Sequence, residues 1–119
     1  MGDVTSHVLV VDDDDDFRGL AARMIAAFDI GQVAQAGTCA AALEVAGRLH
    51  PVAALVDVGL PDGDGVALAA ELAAAPWSPR VVLTSSDSSA AARANGIPFV
   101  AKEDLADHLL RDLLSGGRE

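Results

Sequence analysis

The chain has 119 residues, 51% of them hydrophobic, and a formal net charge of -10 at pH 7. That length supports one domain with a sizeable core, while the acidic balance argues against direct binding to nucleic acid and to anionic membrane surfaces. A single cysteine, Cys39, excludes a disulfide framework and a cysteine zinc site.

No signal peptide precedes Val8, and no apolar run is long enough to span a bilayer, so the chain reads as cytoplasmic. The first element is Val8-Leu9-Val10-Val11, a run of branched apolar residues too short for a helix. Such a run reads as a strand buried on both faces. It leads directly into five aspartates, Asp12 to Asp16. Asp14 to Phe28 predicts a helix, because Phe17, Leu20, Ala21, Met24, Ile25 and Phe28 form one apolar face. Asp14, Asp15 and Asp16 then suit its N-cap and first turn, where carboxylates complement the helix dipole.

Val33 to Ala36, between Gly31 and Gly37, is a short strand suited to a sheet edge. Thr38 caps a second helix through Leu49, which His50-Pro51 stops. Val52 to Asp57 is a second apolar strand that ends in a carboxylate. Leu60 to Gly65 is turn chemistry, and Asp64 caps a third helix from Gly65 to Ala75. Pro76 to Pro79 is a loop in which Trp77 lids the junction between helix and strand.

Arg80 to Thr84 is the fourth strand, followed by a polar loop from Ser85 to Ser89. Ala90 to Asn95 predicts a short fourth helix closed by Gly96. Pro98 to Lys102 is the last strand. Glu103 or Asp104 starts a final helix with Leu105, Leu109, Leu110, Leu113 and Leu114 inward, and residues 115–119 fray. His7, His50 and His108 read as scattered surface residues. No repeat or linker divides the chain, so residues 1–119 read as one domain with a core of about 7–114.

Strands alternating with helices imply a doubly wound α/β fold, with five parallel strands and helices on both faces. In such a sheet the carboxyl ends of the strands line one crevice. Every strong strand ends there in a reactive group: Asp12-Asp13, Asp57, Thr84 and Lys102. Two like charges about 4 Å apart repel by roughly 1 kcal/mol in water and about 4 kcal/mol near a protein surface. Converging carboxylates therefore need either dispersal into solvent or a cation, and we take the cation. Carboxylates without His or Cys suit Mg²⁺. A cation beside Lys and a hydroxyl is an arrangement that stabilises phosphoryl transfer, and a carboxylate can itself be the nucleophile.

These residues resemble the receiver domain of two-component response regulators. The resemblance rests on four motifs in order: Val10-Val11-Asp12-Asp13; Val56-Asp57 with Leu60-Pro61 and Asp64-Gly65; Val82-Leu83-Thr84; and Phe99-Val100-Ala101-Lys102. It implies a CheY-like, flavodoxin-like sheet of strand order 2-1-3-4-5. It further implies that Asp57 accepts phosphate and that Asp13, Asp57 and the Gly59 carbonyl bind Mg²⁺ directly, with Asp12 acting mostly through a metal-bound water. Thr84 would contact the phosphoryl group, Lys102 would pair with it, and Phe99 would be an aromatic rotor coupled to Thr84. The implied partners are a histidine kinase or phosphotransfer protein upstream and an output protein or appended output domain downstream.

The chain departs from the family where Glu103 stands in place of the usual Pro, and where a short stretch from Thr84 to Phe99 implies a truncated fourth helix. Gly59 and Ser86 occupy positions that tune phosphate lifetime in the family. Two rival readings share parts of the pattern. One is a haloacid-dehalogenase-type phosphatase with Asp12 as nucleophile and Asp14 as acid-base partner, which lacks the late acidic motif expected after the Lys. The other is a pseudo-receiver that never turns over phosphate. An EF-hand is excluded by residue type: counting from Asp12, Phe17 stands where the loop needs Gly and Arg23 where it needs Glu, and counting from Asp62, Ala73 fails in the same way.

Overall fold

The computed structural model describes residues 6–105, 110–112 and 114. Five strands, β1 (His7–Val11), β2 (Gln32–Ala36), β3 (Ala53–Asp57), β4 (Arg80–Ser85) and β5 (Phe99–Ala101), form one sheet. All neighbours pair in parallel, in the order 2-1-3-4-5 expected from the resemblance. Three helices, α1 (Asp15–Phe28), α2 (Cys39–Leu49) and α3 (Gly65–Ala73), connect them.

The core divides as the period of a strand requires, with successive side chains on opposite faces. Leu9, Val11, Ala54, Val56 and Leu83 face α2 and α3, where Ala42, Ala46, Leu68, Ala69 and Leu72 meet them. Val8, Val10, Ala53, Leu55, Val82 and Val100 face the other side, against Ala21 and Ile25 of α1 and Leu110 and Leu114 of the last helix. The small alanines let the helices lie close on the sheet. Residues 110–112 and 114 are helical, whereas Leu109, Leu113, His108 and residues 115–119 lie outside the described residues.

The N-cap of α2 is Thr38, as expected, and its Oγ1 accepts from Ala41 N at 3.0 Å. Several other expected boundaries move. Helix α3 ends two residues earlier than its composition suggests, with the Ala74 N–H closing back on Ala70 and Leu72. Leu60 to Gly65 is more ordered than a turn: Gly59–Leu60 pairs antiparallel with Gly63–Asp64. Val52 and Pro98 precede their strands rather than opening them, and Lys102 begins a tight turn with Glu103 and Asp104. Leu105 is extended, so the last helix does not start at Glu103 or Asp104 as expected.

The fourth helix is the largest departure. Ser88–Arg93 winds as a 3-10 helix capped by Asp87, in place of an α-helix over Ala90 to Asn95. Asn95 and Gly96 both have positive φ and stop it after six residues. So short a segment earns few α-type hydrogen bonds against the cost of nucleation, and tighter winding covers more distance per residue.

Trp77 does lid the helix-strand junction. Its Nε1 donates to Pro51 O at 3.0 Å and its ring stacks on His50 at 4.1 Å. His50 is exposed, but His7 is half-buried with Nδ1 shielded from solvent, contrary to a purely surface reading. Among the described residues no helix is long and apolar enough to cross a membrane.

Candidate active site

Register brings the four strand ends together. Val11 lies beside Val56, Asp57 beside Thr84, and Thr84 beside Val100. Asp12 follows β1 and stays tied to the sheet through its N–H on Ala36 O at 3.0 Å, while Lys102 follows β5. All of these residues therefore stand on the carboxyl rim of the sheet. One carboxylate oxygen each from Asp12, Asp13 and Asp57 lies within 4.8 Å of the others, with Asp12 and Asp57 buried and Asp13 exposed.

Lys102 Nζ reaches into this group, 2.8 Å from Asp12 Oδ2 and 4.0 Å from Asp57 Oδ1. Its ammonium also lies 4.3 Å from the centre of the Phe17 ring. Asp12 Oδ1 accepts from Asp14 N at 2.9 Å. Arg18 clamps the same corner from behind: Nη1 donates to Asp12 O at 2.7 Å, Nε to Gln35 Oε1, and Nη2 to Asp15 Oδ1.

Asp57 has its pKa pushed up to about 6. Burial is the main cause, Asp12 and Asp13 add repulsion, and Lys102 and the Gly59 backbone partly offset them. A carboxylate held in this way is ionised at neutral pH yet poorly solvated. Poor solvation leaves such an oxygen more reactive than a fully hydrated carboxylate.

The family model of the response regulator receiver domain matches residues 8–112. The chain belongs to the response regulator receiver domain family. Over 93 residues it is 40% identical to a protein-glutamate methylesterase/protein-glutamine glutaminase of Anaeromyxobacter dehalogenans, covering 76% of this chain and 27% of that protein. The receiver thus spans about a quarter of that relative. The activated N-terminal receiver domain of Klebsiella pneumoniae RstA, solved with BeF3, superposes with a TM-score of 0.78 at 25% identity, covering 96% of this chain and all of that one. A Burkholderia pseudomallei response regulator, solved with a phosphorylated aspartic acid, calcium ion and citrate, aligns with a TM-score of 0.77 at 24% identity, over 92% of this chain and 66% of that one.

In this receiver the donor set fits a divalent cation. Three carboxylates converge, and neither His nor Cys is among them, which is the chemistry of a hard oxygen-seeking ion. Gly59 is exposed at the start of the hairpin, two residues after Asp57, and its backbone hydrogen-bonds to the Asp57 carboxylate. Thr84 is buried, and its hydroxyl donates to Val100 O at 2.7 Å. Phe99 is half-buried against the core cluster that includes Ala90 and Ala94. The Lys102–Glu103 peptide is trans, as for almost any non-proline bond.

Four contacts that support the site are not assigned from the sequence, although Gly65 stands in the Asp64-Gly65 motif. Asp62 accepts from both Cys39 N (2.7 Å) and Ala40 N (3.1 Å), pinning the hairpin onto the start of α2. Arg93 reaches back to Asp64 at 3.0 Å, linking the 3-10 segment to the loop after Asp57. A Cβ on Gly65 would run into the Asp57 carbonyl oxygen and sit 2.8 Å from Val58 Cα, so only Gly allows this approach. Arg18 and its three acceptors are the fourth. The Asp62 and Arg93 contacts join segments distant in sequence, and the Gly65 and Arg18 contacts depend on how the chain turns at a strand end, which no local period encodes.

The phosphatase reading does not survive the family match, and the site gives a physical reason. Asp12 is 1% exposed, with one oxygen on Asp14 N and the other against Lys102. It is a poor nucleophile beside the more open Asp57.

Proposed function

We propose that this receiver accepts a phosphoryl group on Asp57 from a phosphohistidine of a histidine kinase or phosphotransfer protein, with Mg²⁺ as the cation. The observation that carries this reading is the meeting of Asp12, Asp13, Asp57 and Lys102 at one end of the sheet. A carboxylate oxygen of Asp57 attacks phosphorus, the P–N bond to the imidazole breaks, and the leaving nitrogen takes a proton from water. The product is a mixed anhydride. When bound, Mg²⁺ supplies charge neutralisation for the phosphoryl oxygens.

Asp13, Asp57 and the Gly59 carbonyl would hold that ion directly, with Asp12 acting through a bound water. Lys102 neutralises a phosphoryl oxygen. Thr84 meets another by leaving the Val100 carbonyl, and Phe99 follows it inward as the switch. The chain carries signal rather than turning over an external substrate, and it acts in the cytoplasm. Residues 1–119 act as one unit with its core within 7–114, and phosphorylation alters binding to an output protein or appended output domain.

Incubation of the chain with Mg²⁺ and acetyl phosphate should add one phosphate, and Asp57→Asn should abolish it. Loss of labelling in Asp12→Asn with retention in Asp57→Asn would favour the phosphatase chemistry instead. No labelling of folded wild-type chain would favour a pseudo-receiver.

A further inference from the structure

The three partners of Lys102 differ in kind. Two are carboxylates that a divalent cation would also bind, and the third is the face of Phe17, which it would not. Phe17 lies in the first turn of α1, where its N–H is held by the capping carboxylate of Asp14 at 3.3 Å. Its half-buried ring packs against the buried cluster that includes Val8, Val10 and Leu110. One side of the ring is thus seated on the core, and the Lys102 side chain, only 18% exposed, rests over the ring.

Any cation seated among Asp12, Asp13 and Asp57 repels the Lys102 ammonium and draws the carboxylates away from it. A lysine without another anchor then gains the freedom of its long flexible stem and turns to solvent. An aromatic face keeps its attraction for an ammonium under those conditions, because its quadrupole is not consumed by the metal.

We propose that Phe17 is a positioning residue for phosphoryl transfer: its ring keeps the Lys102 ammonium over the strand ends while Asp12 and Asp57 are engaged by the metal. This inference rests on Asp57 being the phosphoacceptor. Phe17 touches neither the phosphoryl group nor the cation, and its effect runs entirely through Lys102.

The test uses the full chain and acetyl phosphate with Mg²⁺. Phe17→Leu should slow the limiting rate of Asp57 phosphorylation roughly threefold to tenfold, and Phe17→Tyr should restore it. In a Lys102→Ala background Phe17→Leu should change the rate no further. Because Phe17 also packs the core, fluorinated phenylalanines at position 17, which keep its shape while draining the ring face of charge, should slow the reaction in step with fluorine number. A second readout is independent of activity: upfield ring-current shifts of the Lys102 side-chain protons should persist when Mg²⁺ is added.

Loss of those shifts on adding Mg²⁺ overturns the proposal, as does a wild-type rate in Phe17→Leu or in the fluorinated series. Equal slowing of the Lys102→Ala chain by Phe17→Leu would show a packing role only and overturns it too. Failure of wild type itself to phosphorylate would overturn the phosphoacceptor reading instead, and the shifts alone would then decide whether Phe17 holds the lysine.

Discussion

Lys102 is bonded to Asp12 at 2.8 Å, while the phosphoacceptor candidate Asp57 stands 4.0 Å from the same nitrogen. This ion pair joins the ends of β1 and β5 across the two strands between them, and Asp12 is almost wholly buried. Removing one partner of such a pair leaves an uncompensated charge, which costs more than the pair itself contributes.

Lys102→Met should therefore destabilise the receiver by about 3 kcal/mol at neutral pH, close to what breaking other buried pairs costs. Magnesium ion should raise the melting temperature of both chains by binding the native state, and more so in Lys102→Met, where no ammonium competes for the carboxylates. Thermal melts with and without Mg²⁺ check both. Equal stability of the two chains would mean that the lysine is solvated rather than engaged.

Asp57 should make the protein without added metal less stable as pH rises. Its folded pKa, pushed to about 6 mainly by burial, lies above its ordinary value of 3.8. The folded state thus binds the proton more tightly than the unfolded chain. The contribution is fully present below about pH 4 and is lost as pH rises through about 6. At about 1.4 kcal/mol per pH unit the loss is about 3 kcal/mol at most. Asp62, stabilised mainly by the Cys39 N–H, and Asp87, stabilised mainly by the Ser89 hydroxyl, are held below the usual range and act in the opposite sense. The measurement is therefore the difference between wild type and Asp57→Asn across pH 4 to 8 in chelator, which should grow in favour of the Asn variant.

The hairpin after Asp57 depends on Asp62, which caps α2 from outside. Cys39, at the start of α2, has its thiol pKa raised first by burial and then by the charge of Asp62. Asp62→Ala should lower the melting temperature by uncapping α2, and it should speed alkylation of Cys39 at fixed pH by increasing the thiolate fraction. A slower or unchanged alkylation rate would mean that Asp62 does not sit against the thiol.

The residues that converge chemically were legible because each ends an apolar run, and a parallel sheet puts all such ends on one side. Asp12, Asp13, Asp57, Thr84 and Lys102 needed only that rule to be placed together. The alternation of Val8 to Val11 and of Ala53 to Val56 between two core faces was legible for the same reason. What escaped was set by tertiary geometry. Ser88–Arg93 contains good helix formers, yet its span between β4 and β5 and the positive φ of Asn95 and Gly96 impose 3-10 winding. Arg18 reads as one more charge on an amphipathic helix until the fold brings the Asp12 carbonyl within 2.7 Å of it. Phe17 counts as core by its spacing, and only the position of Lys102 reveals its second face.

The most direct measurement locates the phosphate. Borohydride reduction of the chain after acetyl phosphate treatment with Mg²⁺ converts an acyl phosphate to an alcohol, and peptide mass spectrometry reads where. Homoserine at position 57 alone is the predicted result; homoserine at position 12, or none in a folded chain with Mg²⁺ present, would contradict the account.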